Sequence, residues 1–461
     1  MKTNHYKTAR KLAQEKAVRK IEHFKGRALL ADEMRIGKTF ITMQWLIKNP
    51  KIRPAIIICP EIGKWHWEKV AKGHFGIRGA VLNGFNPPRK KQMHKNQLYF
   101  LNWEILPYWV NYLKKLKPKA LILDECHYIK NSKTACYKAT KELANKLPHI
   151  IAIGGTPLKS RPVEMFNVLN LIRPDKYPSL IQYGFRYCQP KLGKRGDWEF
   201  KGAAHLDELH KNLNAWCMIR RLRKAVFDDP PKDRHIIPIP ISNKKEYEEA
   251  ENNFIQWLSK HSATRAKKAK KAKRLIQMGY LKRLAATSKM PYVKIWIDEW
   301  LKSKKGKLAI FCIHKNIIKE LKDRYKNICV VVDGSIRGKK RQLAVKTFQK
   351  NKKCKLFIGN TKAAGTVIEL SKAKAMVGIE MDWTPGDLTQ AEDRIYKQGG
   401  KDPLLIYYLV AKNTIEHKLC KILQSKQNVL SNVLDGSKKK NQLSVYDMLE
   451  KALLKQKNKT S

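Results

Sequence analysis

With 461 residues the chain is too long for one ordinary core, so two or three domains are expected. Hydrophobic residues make up 43% of it, enough to build such cores, and the absence of a run of about 18 apolar residues argues against a membrane span. Lys plus Arg number 96 against 39 acids, a formal charge of +57, so a polyanion is the expected partner and nucleic acid the obvious one. A lysine-rich compositional bias explains part of that charge, which by itself leaves a passive nucleic-acid binder and a motor equally open. The nine cysteines are scattered without a CxxC pair, so neither a disulfide framework nor a zinc site is indicated. A reducing, intracellular setting fits that usage. The opening Met1-Lys2-Thr3-Asn4-His5 lacks the charged-then-apolar pattern of a signal peptide.

Along the chain, short β-rich apolar runs alternate with helical patterns, the arrangement of parallel α/β domains. A first series of strands is expected at Ala28–Ala31, Ala55–Cys59, Leu98–Leu101, Ala120–Leu123 and Ile150–Ile153. The first strand runs into Asp32-Glu33-Met34-Arg35-Ile36-Gly37-Lys38-Thr39 and then a helix carrying Phe40, Ile41, Met43 and Leu46. Strand, loop, Gly-Lys-Thr, helix is the order that phosphate binding needs, because N–H groups at a helix start converge on an anion. Arg35, Ile36 and Gly37 would supply the backbone cradle for ATP, Lys38 would reach the β and γ phosphates, and Thr39 would ligate Mg²⁺. The strict pattern is broken at one point: Asp32 stands where its first glycine would be.

The fourth strand ends in Asp124-Glu125-Cys126-His127. Adjacent carboxylates after an apolar strand suit a nucleotide hydrolase: Asp124 would hold Mg²⁺, directly or through water, and Glu125 would orient and deprotonate the attacking water. The plain alternative is a helix cap after a strand, and the upstream Gly-Lys-Thr argues for catalysis. Cys126 and His127 alone cannot build a tetrahedral zinc site, so His127 is expected to link the ATP site to a neighbouring loop.

A helical, very basic region is expected over about 176–295. Its centre, Thr264 to Arg274, is nearly a pure charge run, and Lys267, Lys268, Lys270 and Lys271 are candidates for sequence-independent phosphate contact, weighed against a merely solvated helix. A second series of strands follows at Leu308–Ile313, Cys329–Val332, Lys355–Ile358, Ala375–Ile379 and Leu404–Leu409. After Asp435 comes a Gly-Ser-Lys linker and a short amphipathic helix, Val445 to Leu454.

The ordered motifs resemble the Swi/Snf-type DNA translocases of helicase superfamily two, and within them the annealing-helicase (HARP-like) branch. The resemblance is carried by Asp32-Glu33-Met34 before Gly-Lys-Thr, Asp124 to Asn131, Gly154-Gly155-Thr156-Pro157-Leu158 with Arg161 to Phe166, Tyr183 to Cys188, Met218 to Arg223, and Trp383-Thr384-Pro385-Gly386 with Gln390-Ala391-Glu392-Asp393-Arg394. It covers roughly residues 10–435 and decides motor over passive binder. It implies an α/β fold of two RecA-like parallel-sheet lobes with a helical basic insertion between them. The expected division is 1–175 for the ATP-binding lobe, 176–295 for the insertion, 296–435 for the C-terminal lobe and 436–461 for a basic tail.

The resemblance also implies roles. Gln14 would recognise adenine; Gly155, Thr156 and Gln390, with His127, would couple ATP state to lobe movement; Arg394 would stabilise charge on the transferring phosphoryl group, with Lys397 standing where a second arginine is usual. Arg220 and Arg221 are assigned to DNA contact. Arg35 replaces a glycine usual in the family's phosphate loop, and Val367 lies near an expected glycine. The function implied is ATP-dependent translocation on double-stranded DNA with remodelling of forked or branched DNA, using ATP and Mg²⁺, by a compact monomer with no membrane or zinc dependence. The rivals are a superfamily-two RNA helicase and a basic DNA-binding scaffold with a decayed ATPase. A cytoplasmic, nucleoid-associated location is expected, and the Lys-rich runs also suit a nuclear address.

Overall fold

The protein is described by a computed structural model covering residues 2–88, 98–193, 196–227, 231–252, 273–303, 306–336, 338–361, 368–380, 385–396 and 402–436. The chain divides into two compact units at Asp229/Pro230 and again at Gln427/Asn428. Among the described residues no helix is long and apolar enough to cross a membrane.

The first unit holds β1 (Arg27–Leu30), β2 (Ala55–Cys59), β3 (Gly79–Val81), β4 (Leu98–Asn102), β5 (Ala120–Asp124), β6 (His149–Ile153), a small hairpin of β7 (Lys191–Leu192) and β8 (Trp198–Glu199), and β9 (Met218–Ile219). Seven of these form one sheet in the order β3-β4-β2-β5-β6-β1-β9, with every pairing parallel. The expected strands are all present, shifted by a residue at most. β3 and β9 were not expected, being too short to show an apolar pattern.

Alternate strand residues point to opposite faces, and each face has its own core. Leu29, Ile56, Ile58, Leu121 and Leu123 pack on one side, against the helices Leu106–Lys115, Ala135–Ala144 and Val163–Ile172. Leu30, Ile57, Ile122 and Ile151 pack on the other, against Lys38–Lys48 and Gly63–Phe75. Arg27 fastens the sheet to a helix end: its guanidinium donates to the carbonyls of Leu147 (2.7 Å), Leu171 (2.6 Å) and Ile172 (2.7 Å). The last two are C-terminal carbonyls that no helical N–H satisfies.

The second unit holds β10 (Lys232–Ile239), β11 (Lys307–Cys312), β12 (Cys329–Val332), β13 (Leu356–Asn360), β14 (Ala373–Gly378) and β15 (Leu404–Ala411), ordered β10-β15-β14-β11-β13-β12 and again all parallel. Phe311, Phe357, Met376 and Ile406 face one core; Leu308, Ile310, Ile358 and Val377 face the other. The two RecA-like parallel sheets are therefore those expected.

The separate insertion expected over 176–295 is divided instead. Its first part closes the first sheet through β9, whereas β10 pairs with β15 along its whole length and the helix Met290–Lys302 buries Val293, Ile297 and Trp300 in the second unit. The expected end of the second lobe at 435 also shifts. The helix Ile415–Asp435 places Leu419 and Leu423 in the core of the second unit but Leu430, Val433 and Leu434 in that of the first. Lys267, Lys268, Lys270 and Lys271, Val367, Lys397 and the helix expected over 445–454 lie outside the described residues.

Candidate functional site

Ligands of parallel α/β sheets bind beyond the carboxyl ends of the strands. Three such ends carry the residues singled out above. β1 leads into the loop ending at Lys38, β5 ends on Asp124, and β6, which lies between them in the sheet, leads into Gly154-Gly155-Thr156. Gly155 is therefore held between phosphate loop and acidic pair, and a Cβ on it would stand 3.0 Å from Met34 and 3.5 Å from the Lys38 ammonium.

The loop before Lys38 needs two left-handed residues. Gly37 has φ 104° and Arg35 has φ 69°. The arginine standing at the family's glycine position is thus in a conformation that disfavours a side chain by about 1–2 kcal/mol. Gly37 has no space for a Cβ against the Gln14 amide. Arg35→Gly is accordingly expected to leave stability within about 1 kcal/mol of the parent, relief of strain being offset by a freer unfolded chain. Gly37→Ala is expected to cost about 2 kcal/mol or more and to weaken ATP binding. Thermal unfolding with and without nucleotide checks both.

Lys38 is half-buried, and its Nζ donates to the carbonyls of Asp32 (2.8 Å) and Glu33 (3.1 Å). Burial lowers its pKa, and the charges of Glu125, Asp32 and Asp124 resist that shift. Thr39 follows in the first turn of the helix, half-buried. Gln14, expected to recognise adenine, is buried, and its Nε2 donates to the carbonyl of Ile36 in the phosphate loop at 3.3 Å.

Asp124 is set by two donors: the indole N–H of Trp67 reaches Oδ2 at 2.9 Å and the Glu125 N–H reaches Oδ1 at 3.0 Å. Burial, then the adjacent Glu125 charge, pushes its pKa up. Glu125 sits at φ 54° and faces His127, whose Nδ1 lies 3.2 Å from Oε2. Burial works to raise Glu125, but the close approach of His127, with the charges of Lys159 and Lys38, outweighs it and holds the carboxyl well below its ordinary value. The two carboxyls are thus pushed apart, Glu125 staying ionised. Asp124 and the Thr39 hydroxyl are hard oxygen donors beside a phosphate loop, a set that fits Mg²⁺.

Trp67 and Lys159 escaped the reading of the sequence. Trp67 is fully buried and lies in Trp65-His66-Trp67, and a buried indole N–H calls for a partner. Lys159, 4% exposed, follows the Gly-Gly-Thr-Pro turn and carries no sequence signal beyond that.

Arg220 and Arg221 are not free for DNA contact. Arg221 grips the buried Asp32 carboxylate with Nε (3.0 Å) and Nη2, and donates to the Ala13 carbonyl. Arg220 donates to the carbonyls of Ala31 (2.7 Å) and Gly155 (3.1 Å) and to Asp435 (2.9 Å). The Arg223 N–H donates to Glu33 at 2.6 Å. These arginines brace the phosphate loop from β9, and the physical reason is that a loop rich in carbonyls and buried carboxylates needs rigid multi-donor partners.

In the second unit, Gln390 and Arg394 are buried at the helix Pro385–Glu392 and just beyond it. Glu392 closes that helix two residues before Arg394. It is 1% exposed and receives Arg234 (Nε 2.8 Å, Nη2 2.7 Å), Lys232 (2.9 Å) and the Tyr408 hydroxyl (2.8 Å). Lys232 also reaches Asp393 at 2.7 Å. This network, unforeseen from the sequence, fixes the segment that carries Arg394 to β10 and β15.

The SNF2-related domain matches residues 14–293 and the helicase conserved C-terminal domain matches residues 291–399. The chain is 29% identical over 442 residues to the human DNA annealing helicase and endonuclease ZRANB3, covering 92% of this chain and 40% of that protein. It is 29% identical over 411 residues to the SWI/SNF-related matrix-associated actin-dependent regulator of chromatin subfamily A-like protein 1 of Xenopus laevis, covering 88% of this chain and 42% of that one. The chain thus spans about two-fifths of the length of the curated relatives it matches. Among solved structures, the Sulfolobus solfataricus SWI2/SNF2 ATPase core in complex with dsDNA aligns at a TM-score of 0.43 with 22% identity, over 95% of each chain.

Proposed function

The chain belongs to the SNF2-related domain family, and from that membership we propose that it is an ATP-driven motor that translocates on double-stranded DNA and remodels forked or branched DNA, by branch migration or strand annealing. The observation that carries the reading is the meeting of Lys38, Asp124, Glu125 and Gly155 at three neighbouring strand ends.

In this reading Lys38 exchanges the carbonyls of Asp32 and Glu33 for the β and γ phosphates of ATP. Asp124 and Thr39 would hold Mg²⁺, which would supply charge neutralisation on the phosphates. Glu125, kept ionised and oriented by His127, aligns the attacking water and takes its proton. Gly155, sandwiched against Lys38 and tied through its carbonyl to Arg220, passes the state of the phosphate site to the following turn at Thr156. Gln14 reads adenine. Arg394 stabilises charge on the transferring group, with Lys397 in the role usually given to a second arginine and Gln390 in that of coupling. The charge of +57 supplies the attraction to the DNA backbone, to which Lys267, Lys268, Lys270 and Lys271 contribute. A cytoplasmic, nucleoid-associated monomer is the setting this reading fits.

The test is ATP hydrolysis by the pure protein with blunt duplex, fork, four-way junction and RNA. Hydrolysis is expected to rise strongly with duplex or branched DNA and to stay near the basal rate with RNA. Stimulation by single-stranded RNA alone would make it an RNA helicase. Tight DNA binding without hydrolysis would leave a scaffold.

A further inference from the structure

We propose that the first unit carries a base-stacking surface for an unpaired DNA strand, built by Phe185 on the helix Leu180–Tyr187 and Trp198 on β8. Among the described residues twelve large hydrophobic side chains are exposed, and five of them, Leu180, Ile181, Phe185, Leu192 and Trp198, fall within 19 residues of sequence. Scattered exposed apolar residues need no explanation, but a cluster of this kind marks an interaction site.

Its geometry suits planar ligands. Phe185 is 46% and Trp198 50% exposed, and their rings meet edge-on with centroids 4.9 Å apart and planes at 68°. An edge-on pair leaves ring face uncovered, on which a base can stack. Leu192 is the cross-strand partner of Trp198 and extends the same face.

The platform is held rigidly from below. Gly184 has no space for a Cβ against Phe200, so the segment after the hairpin lies directly on the helix. The Gly202 N–H donates to the Cys188 carbonyl and the Ala204 N–H to that of Tyr187, both at 2.9 Å. Buried Tyr183 donates its hydroxyl to the Pro162 carbonyl at 2.9 Å. Exposed aromatics on a fixed base lose little entropy when they bind.

Charge selects the occupant. Around the rings, Lys201 pairs with Glu199 at 2.5 Å and Arg186 pairs with Glu208, so these four charges are balanced in pairs. That suits the uncharged faces of bases rather than phosphates. The chain as a whole carries +57, which repels a second copy and draws a polyanion. An unpaired strand offers both: stacking faces for the patch and phosphates for the rest of the surface. The identity of the polyanion rests on the motor reading above.

The experiment measures fluorescence anisotropy of labelled oligo-dT, a fork and a blunt duplex, without nucleotide, for the parent, Phe185→Ala/Trp198→Ala and Phe185→Tyr/Trp198→Phe. The alanine pair is expected to weaken oligo-dT and fork binding roughly tenfold while duplex binding stays within about twofold, and the aromatic pair to restore single-strand binding. Equal loss on duplex and oligo-dT, or no loss on any DNA, as a protein-docking or self-association patch would give, overturns the proposal. Because no ATP is present, absence of duplex-stimulated hydrolysis would sink the motor reading while leaving this result standing.

Discussion

Lys38→Ala is expected to lower DNA-stimulated ATP hydrolysis roughly 10²–10³-fold, the scale on which removal of one preorganised charge donor acts. The reason lies in what surrounds it. Its ammonium sits among the charges of Asp32, Asp124 and Glu125, and in this reading it meets the β and γ phosphates. Without it, the phosphates would meet three carboxylates and ATP affinity would fall along with turnover. Glu125→Gln separates the two effects. It leaves the loop and Lys38 in place, so nucleotide binding is expected to persist while turnover drops by roughly 10²–10⁴. Steady-state hydrolysis with duplex DNA, set against binding of a fluorescent ATP analogue, reads both variants. Full hydrolysis by Glu125→Gln would remove Glu125 from the chemistry.

Glu392→Ala is expected to destabilise the second unit by about 3–5 kcal/mol, because it leaves the half-buried Arg234 cation without its carboxylate and Lys232 with Asp393 as its remaining acidic partner. Three donor side chains converge on Glu392; burial works to raise its pKa, and the charges and hydrogen bonds of Lys232 and Arg234 overcome that and hold it down at about 2. An unfolded glutamate titrates near about 4.3. The folded value being the lower, the contribution is complete above the unfolded value and is lost as pH falls through it towards about 2. The difference corresponds to about 3 kcal/mol at neutral pH. Amide exchange in β10 and β15 over pH 2–6 reports the unit directly. The parent is expected to lose protection steeply on acidification, and Glu392→Gln to show a flatter dependence from a lower starting point. Equal slopes would show that the carboxylate's ionisation does not support this sheet. Since Arg394 follows Glu392 closely, Glu392→Ala is also expected to lower hydrolysis.

Much of the fold was legible because buried parallel strands are short apolar runs. Ala55–Cys59 and Cys329–Val332 were located to the residue. What escaped were elements defined by pairing rather than composition. β9 has two residues and exists only because β1 offers it an edge. β10, Lys232-Asp233-Arg234-His235-Ile236-Ile237-Pro238-Ile239, begins with charges, and those charges point to Glu392 and Asp393 more than 150 positions away. No local period reports a partner at that distance, so the region around it read as one basic insertion.

The site divides in the same way. Gly-Lys-Thr and Asp-Glu were readable because the phosphate and Mg²⁺ chemistry proposed for them calls for those groups directly after apolar strands, and sequence alone determined the two sheets and the strand ends at which these groups stand. Only the tertiary structure decided what the arginines do. Arg220 and Arg221 read as DNA contacts because their charge is visible in sequence, and their orientation is not. Folded, they meet Asp32, the Ala31 and Gly155 carbonyls and Asp435. The physical reason is that charge is a property of the residue, whereas the use of that charge is set by which carbonyls and carboxylates the packing leaves without a donor.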